Sequence, residues 1–453
     1  MLSLSPLLER FAEHTPLPVI ARGLLERHLS GTQLDSWFDA VAETQYTKKQ
    51  LFSERYDLMT QVVFRHQPSI NTAYQNAVQP LNVSKSAVYD KLNHLEASTS
   101  GALVKLSADK SASLIQEMGA EDTTLLPDYR VRILDGNARG ARDHRLEATR
   151  CSTAAPLPGK SLNVYEPSLG LITHTLPCED AYTQERVLLS DIPALAEASD
   201  LWVADRNFCT TDFFIELQGK GAAGLIREHG QIRFEPLEAM SGSIRTDTGA
   251  VSEQRVKLTT KGKKPIVLRR IRVALDKPDR NGEDTLYLLT HVPAEDASAF
   301  VLAELYRKRW RIEVAFLKMT VQLRCEINTL GYPKAALFGF AVAAVAFNIL
   351  AVIMAALRVA HPEVDIEKEV STYYIANEMA NMAESLDKII DTEDGLPIAE
   401  ADDRTMAGWL LLLAGRAQLR KYKKHPRGKK KTQPPRKNDP AKPHVATARL
   451  IKN

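Results

Sequence analysis

The chain has 453 residues, more than one ordinary domain needs, so two to four units are expected. Its 44% hydrophobic and 25% charged residues are the mix of a soluble globular protein with a sizeable core. The net charge of +3 conceals an asymmetry: from Arg416 onward 14 Lys or Arg face one acid, Asp439, whereas residues 1–415 hold 45 basic and 55 acidic side chains, a net of −10. A basic tail of that kind seeks polyanions. Cys151, Cys178, Cys209 and Cys325 lie far apart with no CxxC spacing; this suggests neither a zinc site nor a disulfide framework and points to a reducing cytoplasm. Glu9 and Arg10 interrupt the apolar run that a signal peptide requires.

Residues 1 to about 120 read as helical. Within them Ser84 is an N-cap candidate for a helix whose Val88, Leu92 and Leu95 recur at i, i+4, i+7. The other face carries Lys85, Ser86, Tyr89 and Asn93, side chains able to touch phosphates and base edges, as in the second helix of a helix-turn-helix. An ordinary surface helix gives the same pattern. From Tyr129 the texture changes to strand alternation, Val131 and Ile133 against Arg130 and Arg132, ending at Asp135-Gly136. Residues 162–165 and 171–176 flank a hairpin signal at 166–170. A helical stretch at about 183–199 follows, then an apolar run from Leu201 to Asp205, a helix at about 210–218 and a strand at 223–226. Three strands, helix, strand, helix, strand is the order of a ribonuclease-H-like mixed α/β sheet with flanking helices.

Residues 231–234, 255–258, 265–273 and 285–289 read as strands of an all-β insertion. Helical texture returns from Ala297 and continues, with breaks, to about Leu419. In it, Ala335 to Leu357 is 23 residues long with Asn348 as its clearly polar member, long enough to cross a bilayer. Nine of the 23 are alanine, and a helix apolar on all sides also suits the centre of a large domain, so a buried helix is expected. The expected organisation is a helical N-terminal DNA-binding domain (1–120), the first part of the α/β core (125–228), a β-rich insertion (229–295) and the end of the core (296–360). A helical region (361–419) and a basic disordered tail (420–453) complete it.

Asp135 and Asp205 each sit where an apolar strand is expected to stop, and by parity each shares a face with its apolar neighbours. A strand-end Asp is also a common turn residue, so the pair needs a third partner. In Leu305 to Leu323, read as one helix, Leu305, Ile312, Phe316, Met319 and Leu323 form an apolar stripe. Tyr306, Arg309 and Glu313 form a second stripe about 90° around from it. By itself Arg309–Glu313 is an i,i+4 surface pair worth a few tenths of a kcal/mol, roughly. Together the three carboxylates can hold two Mg²⁺ ions, which prefer oxygen ligands. Such a pair activates water or a 3′-hydroxyl and stabilises the leaving oxygen of a phosphodiester displacement. No Walker loop, HExxH or GxSxG motif offers a competing chemistry.

Tyr-x-x-Arg-Trp-x-Ile-Glu from Tyr306 to Glu313, with Ala204-Asp205-Arg206-Asn207-Phe208 and Leu134-Asp135-Gly136 upstream, resembles bacterial insertion-sequence transposases of the DDE type. More narrowly it is similar to the family numbered four, with its Tyr-Arg-Glu-Lys signature, over roughly residues 125–345. The resemblance implies that Asp135, Asp205 and Glu313 are the catalytic metal ligands for Mg²⁺, with Mn²⁺ able to substitute. It implies that Tyr306 and Arg309 position phosphates of double-stranded DNA. The implied reaction is cut-and-paste: nicking at element ends, a hairpin intermediate and strand transfer into target DNA, by a homodimer or higher synaptic complex in the bacterial cytoplasm, with no membrane involved. Thr320 stands where the signature lysine belongs. Arg324, expected back on the face of Glu313, is the geometric substitute, and Lys318 is near in sequence but off that face. Residues 228–295 contain no Trp, leaving Phe234 or Tyr287 to stack a flipped base, and Arg227 is a further candidate DNA contact. The alternatives are a catalytically inactive transposase-derived DNA-binding regulator and, more remotely, a membrane-anchored protein using residues 335–357.

Overall fold

A computed structural model describes residues 6–45, 50–77, 81–122, 125–247, 249–258, 262, 264–278, 282–389, 401–425 and 444–451. Among them one mixed sheet of ten strands organises the chain: β1 (Arg130–Ala138), β2 (Lys160–Glu166), β3 (Leu171–Cys178), β4 (Asp200–Ala204), β5 (Ala223–Arg227), β6 (Phe234–Pro236), β7 (Ile244–Thr246), β8 (Gly249–Leu258), β9 (Ile266–Leu275) and β10 (Thr285–Thr290). The order across it is β3-β2-β1-β4-β5-β10-β9-β8-β6, with β7 also on β8. β1, β4 and β5 are mutually parallel and the other neighbours antiparallel. The first five positions are the ribonuclease-H-like arrangement, with helices on both faces. The β insertion prolongs this sheet, because β10 pairs with β5 through Leu288↔Arg227, Leu289↔Ile226 and Thr290↔Leu225.

Alternation along the strands sorts the side chains into two cores. Val131, Ile133, Leu201, Val203 and Leu225 join a large cluster with the N-terminal helices and the helix Pro333–Ala360. Leu134, Trp202, Ala204 and Ile226 point the other way, beneath Phe213, Phe214 and Leu217 of the helix Thr211–Gly219, which Thr210 caps. The stretch 183–199 is not one helix. It is the short turn Glu185–Leu188 followed by 3₁₀ turns at Leu189–Asp191 and Pro193–Leu195, since Pro193 can neither donate nor tolerate the turn before it. Ser84 does cap Lys85–Asn93 by accepting from the Ala87 N–H, and Val88, Leu92 and Leu95 are buried. However, residues 76–84 separate this helix from Ile70–Gln75, too many for the tight turn of a helix-turn-helix, and 78–80 among them lie outside the described residues.

The apolar helix Pro333–Ala360 is the central post of the molecule. By length and composition it passes for a membrane span, yet 94% of its most apolar window is buried in the protein. The helix Ala97–Glu117 packs between this post and β3, where Gly101 comes so close that a Cβ would meet the Thr175 carbonyl oxygen at 2.6 Å. Asn348, polar inside an apolar helix, accepts the Ile172 N–H at 2.9 Å and donates to the Ile172 carbonyl at 3.0 Å. Ile172 lies on the edge strand β3 beside the register shift at Val164/Tyr165, so Asn348 completes backbone bonding that the sheet leaves open.

The expected disordered tail of 420–453 is corrected at both ends. Leu419–Tyr422 forms a 3₁₀ turn, with Ser371 N–H donating to the Tyr422 carbonyl at 2.7 Å. Val445 and Ala446 pair in parallel with Pro156 and Leu157, and Arg449 donates to Asp180 at 2.8 Å. Backbone pairing and an ion pair to distant partners order what local composition would leave loose. The basic run at 426–443 lies outside the described residues.

Replacing Asn348 by leucine orphans a buried N–H and C=O together. It is expected to cost about 2–4 kcal/mol, read as a lower urea midpoint. A midpoint within error of wild type would contradict this reading of the post.

Candidate active site

Parallel pairing of β1 with β4 ends at Leu134↔Ala204. Asp135 and Asp205 are the next residues on the two strands, so they lie side by side, strands being about 4.8 Å apart. Parity turns both toward the face that carries Val131, Ile133, Leu201 and Val203. Asp205 leaves its strand as expected, its carbonyl accepting the Phe208 N–H at 3.0 Å to start a 3₁₀ turn. Asp135 does not end β1, which continues to Ala138 through antiparallel pairing with β2. Asp135 therefore stands on a rigid strand, at the point where one of its two neighbours has turned away.

The third carboxylate arrives on a helix that covers the same face. Ile312, Ala315 and Met319 of Trp310–Val321 are buried in the large core, which turns Glu313 toward the strand ends. The segment 305–323 is not one helix. Ala299–Arg307 ends and Trp310–Val321 begins across a tight turn, in which Lys308 and Arg309 N–H donate three residues back at 2.9 and 3.0 Å. No proline or glycine marks the break, so periodicity runs straight through it. The break falls at Arg309, whose guanidinium donates to Asp135 Oδ2 and to Glu313 Oε1, each at 3.0 Å. The i,i+4 pair is thus half of a bridge between strand and helix.

The electrostatics reflect how close these groups lie. Burial, with Glu313 and Glu185 adding to it, pushes the Asp135 carboxyl from its usual 3.8 up to about 6, against the pull of Arg309 and the Gly136 N–H. Burial also raises the Tyr306 phenol well above its ordinary range; Asp205 adds to this, and Arg309 and Arg227 oppose it. Burial pulls the Arg309 guanidinium down, but Tyr306, Asp135, Asp205 and Glu313 together hold it above its usual value. The structure therefore brings together Asp135, Asp205, Tyr306, Arg309, Glu313 and Arg227. The nearby acids Asp128 and Asp143 stay away: Asp128 precedes the opposite end of β1, and Asp143 pairs with Arg145 in a loop.

Three carboxylates are a donor set suited to a hard divalent cation. Among the described residues, however, no His, Cys, Asp or Glu group of three or more is drawn in tightly enough to hold one. Arg309 occupies the space between Asp135 and Glu313 instead. Among the described residues Asp205 has no ion-pair partner and its carboxylate accepts no hydrogen bond, so it faces the site open.

Other expected contacts are redistributed. The helix ends at Val321, so Arg324 does not return to the face of Glu313; its N–H donates to the Val63 carbonyl at 2.9 Å. Lys318 lies in a cleft with Tyr165, Phe347 and Glu367, where burial lowers its ammonium below the usual range. Thr320 bonds back to the Phe316 carbonyl at 3.0 Å. Phe234 and Tyr287 flank Arg270, whose guanidinium stands 4.8 and 3.6 Å from their ring centres. Parity with Leu289 places Tyr287 on the sheet face opposite the carboxylates. Lys85 is exposed; Tyr89 is half-buried, and burial raises its phenol against an opposing pull from the Asn71 backbone. Sequence reasoning missed three site neighbours, Glu185, Arg206 and Glu283. Glu185 lies where a Cβ on Gly136 would fall, and Glu283 pairs with Arg206 and with the expected Arg227. Arg206 was visible as the neighbour of Asp205; Glu185 and Glu283 carry no local signal.

Asp135 also makes stability depend on pH. The folded chain holds this proton more tightly than the unfolded chain, so that contribution is full below about pH 4 and is lost as pH rises through about 6. Asp135→Asn is expected to stabilise the metal-free protein by about 1–3 kcal/mol at pH 8 and to change it little at pH 4. Urea unfolding at the two pH values checks this; an equal effect at both would contradict it.

No curated protein matches the chain. Residues 160–348 match the family model of the transposase DDE domain, a span that starts after Asp135 and includes Asp205 and Glu313. That match supports a DDE transposase domain over residues 160–348.

Proposed function

We propose that the chain is an insertion-sequence DNA transposase of the family numbered four, with Asp135, Asp205 and Glu313 as its catalytic carboxylates. The observation that carries this reading is the meeting of Asp135 and Glu313 on one guanidinium beside the open Asp205. Two Mg²⁺ ions bound by these carboxylates, or Mn²⁺ in their place, would supply the Lewis acidity that activates the attacking hydroxyl and stabilises the leaving oxygen. The chain's own residues do the rest. Burial of Asp135 excludes water from one side of the reacting phosphate, and the rigid strands hold the two aspartates in fixed register. Arg309 and Tyr306 present donors at the same rim, and a planar guanidinium binds phosphate oxygens in pairs. Arg227 adds a third donor group at the end of β5. Lys85 and Tyr89, from the helical N-terminal region, are candidate contacts to DNA further from the cleaved bond.

The proposed reaction is cut-and-paste transposition: hydrolysis at the element ends, a hairpin on the transposon DNA, and strand transfer into the target. Two ends must be held at once, so a homodimer or higher synaptic complex in the bacterial cytoplasm is part of the proposal. The hairpin step has the least support, because Phe234 and Tyr287 are engaged with Arg270.

A supercoiled plasmid carrying the element ends tests the reading. Wild type with Mg²⁺ is expected to nick it, and Asp205→Ala and Glu313→Gln are each expected to lower the rate by about 10²–10³-fold or more. Equal nicking by wild type and both variants would sink the assignment, and no nicking by any of them would favour the inactive regulator.

A further inference from the structure

Beyond the carboxylates the site has a basic half, held together by one residue of the β insertion. Glu283 lies just before β10. Because β10 runs antiparallel to β5 and pairs with it from Leu288↔Arg227 onward, Glu283 lies past the C-terminal end of β5, at the same end of the sheet as Asp205. One Glu283 oxygen accepts from Arg206 Nη1 at 3.0 Å, and the other pairs with Arg227 Nη2. Arg206 follows Asp205 in the chain, and Arg227 is close enough to Tyr306 to act on its phenol. Arg206 keeps 43% of its side-chain surface exposed. Each guanidinium has five donors and gives only part of them to Glu283.

Arg206 directly follows Asp205, and the Asp205 carboxylate accepts no hydrogen bond among the described residues, so an unanchored guanidinium here has a carboxylate to turn to. Resting on the reading above, we propose that Glu283 is a positioning residue: it sets Arg206 and Arg227 side by side as a seat for one DNA backbone phosphate and keeps both guanidiniums off Asp205. A plain charge-balancing role predicts something different. Removing an acid from a DNA-binding face should then tighten binding, and an Asp in place of Glu should change nothing.

The test uses the full-length protein in EDTA and a fluorescent duplex of about 30 base pairs, with anisotropy measured between roughly 50 and 200 mM KCl. Glu283→Asp keeps the charge but is too short to span both guanidiniums. It is expected to weaken binding about tenfold and to flatten the slope of log affinity against log salt by about one, the loss of one phosphate contact. Arg206→Gln with Arg227→Gln should produce the same change, and adding Glu283→Asp to that pair should add nothing. Thermal melts of all variants control for folding. Wild-type affinity and slope for Glu283→Asp, or tighter binding by Glu283→Gln, would overturn the proposal alone. A wild type that binds no duplex at any salt would overturn the transposase reading with it.

Discussion

The parallel pairing of β1 with β4 is the constraint on which the rest depends. Its register places Asp135 beside Asp205 at the point where Leu134↔Ala204 is the last pair. A slip of either strand by one residue would turn its own carboxylate into the opposite core, among Leu134, Trp202 and Ala204, and leave the other where it is. That register is itself held by burial on both faces, from the N-terminal helices and Pro333–Ala360 on one side and Thr211–Gly219 on the other. The large core thus acts locally, fixing two like charges side by side on adjacent strands, where they would otherwise separate.

Like charges held together need a counter-charge, and Arg309 provides it in the free chain. Its two 3.0 Å bonds reach a strand residue and a helix residue that are far apart in sequence. Burial still lifts Asp135 to about 6, so one guanidinium does not fully offset the cost of placing carboxylates there. A site of this kind is electrostatically underfilled, and added cations or a change of protonation will act on it strongly. Glu283 is the complementary counter-charge, an acid set among the arginines of the rim.

What was legible in the sequence follows from the range of the interactions involved. The cap at Ser84, the alternation around Val131 and Ile133, and the all-round apolar helix with Asn348 inside it are set by local chemistry or by period, and each appears in the structure. The pairing of Arg309 with Glu313 was legible as well, because it is an i,i+4 contact. The break at Lys308–Arg309 was not, since no residue there opposes helix and the turn coincides with a bond to a strand 174 positions away. The displacement of Arg324 follows from the early end of that helix at Val321. Glu185, Glu283 and the pairing of Val445 with Pro156 depend wholly on long-range packing, of which periodicity carries no trace.

The central claim is that Asp135, Asp205 and Glu313 form one cation-binding site although Arg309 now separates two of them. Titration of Mn²⁺ into the metal-free protein, followed by electron paramagnetic resonance, tests it without reference to catalysis. Wild type is predicted to bind Mn²⁺, and Asp205→Asn to lose at least about tenfold in affinity, because one of few hard oxygen ligands is gone. Equal Mn²⁺ affinity in the two proteins would contradict the account.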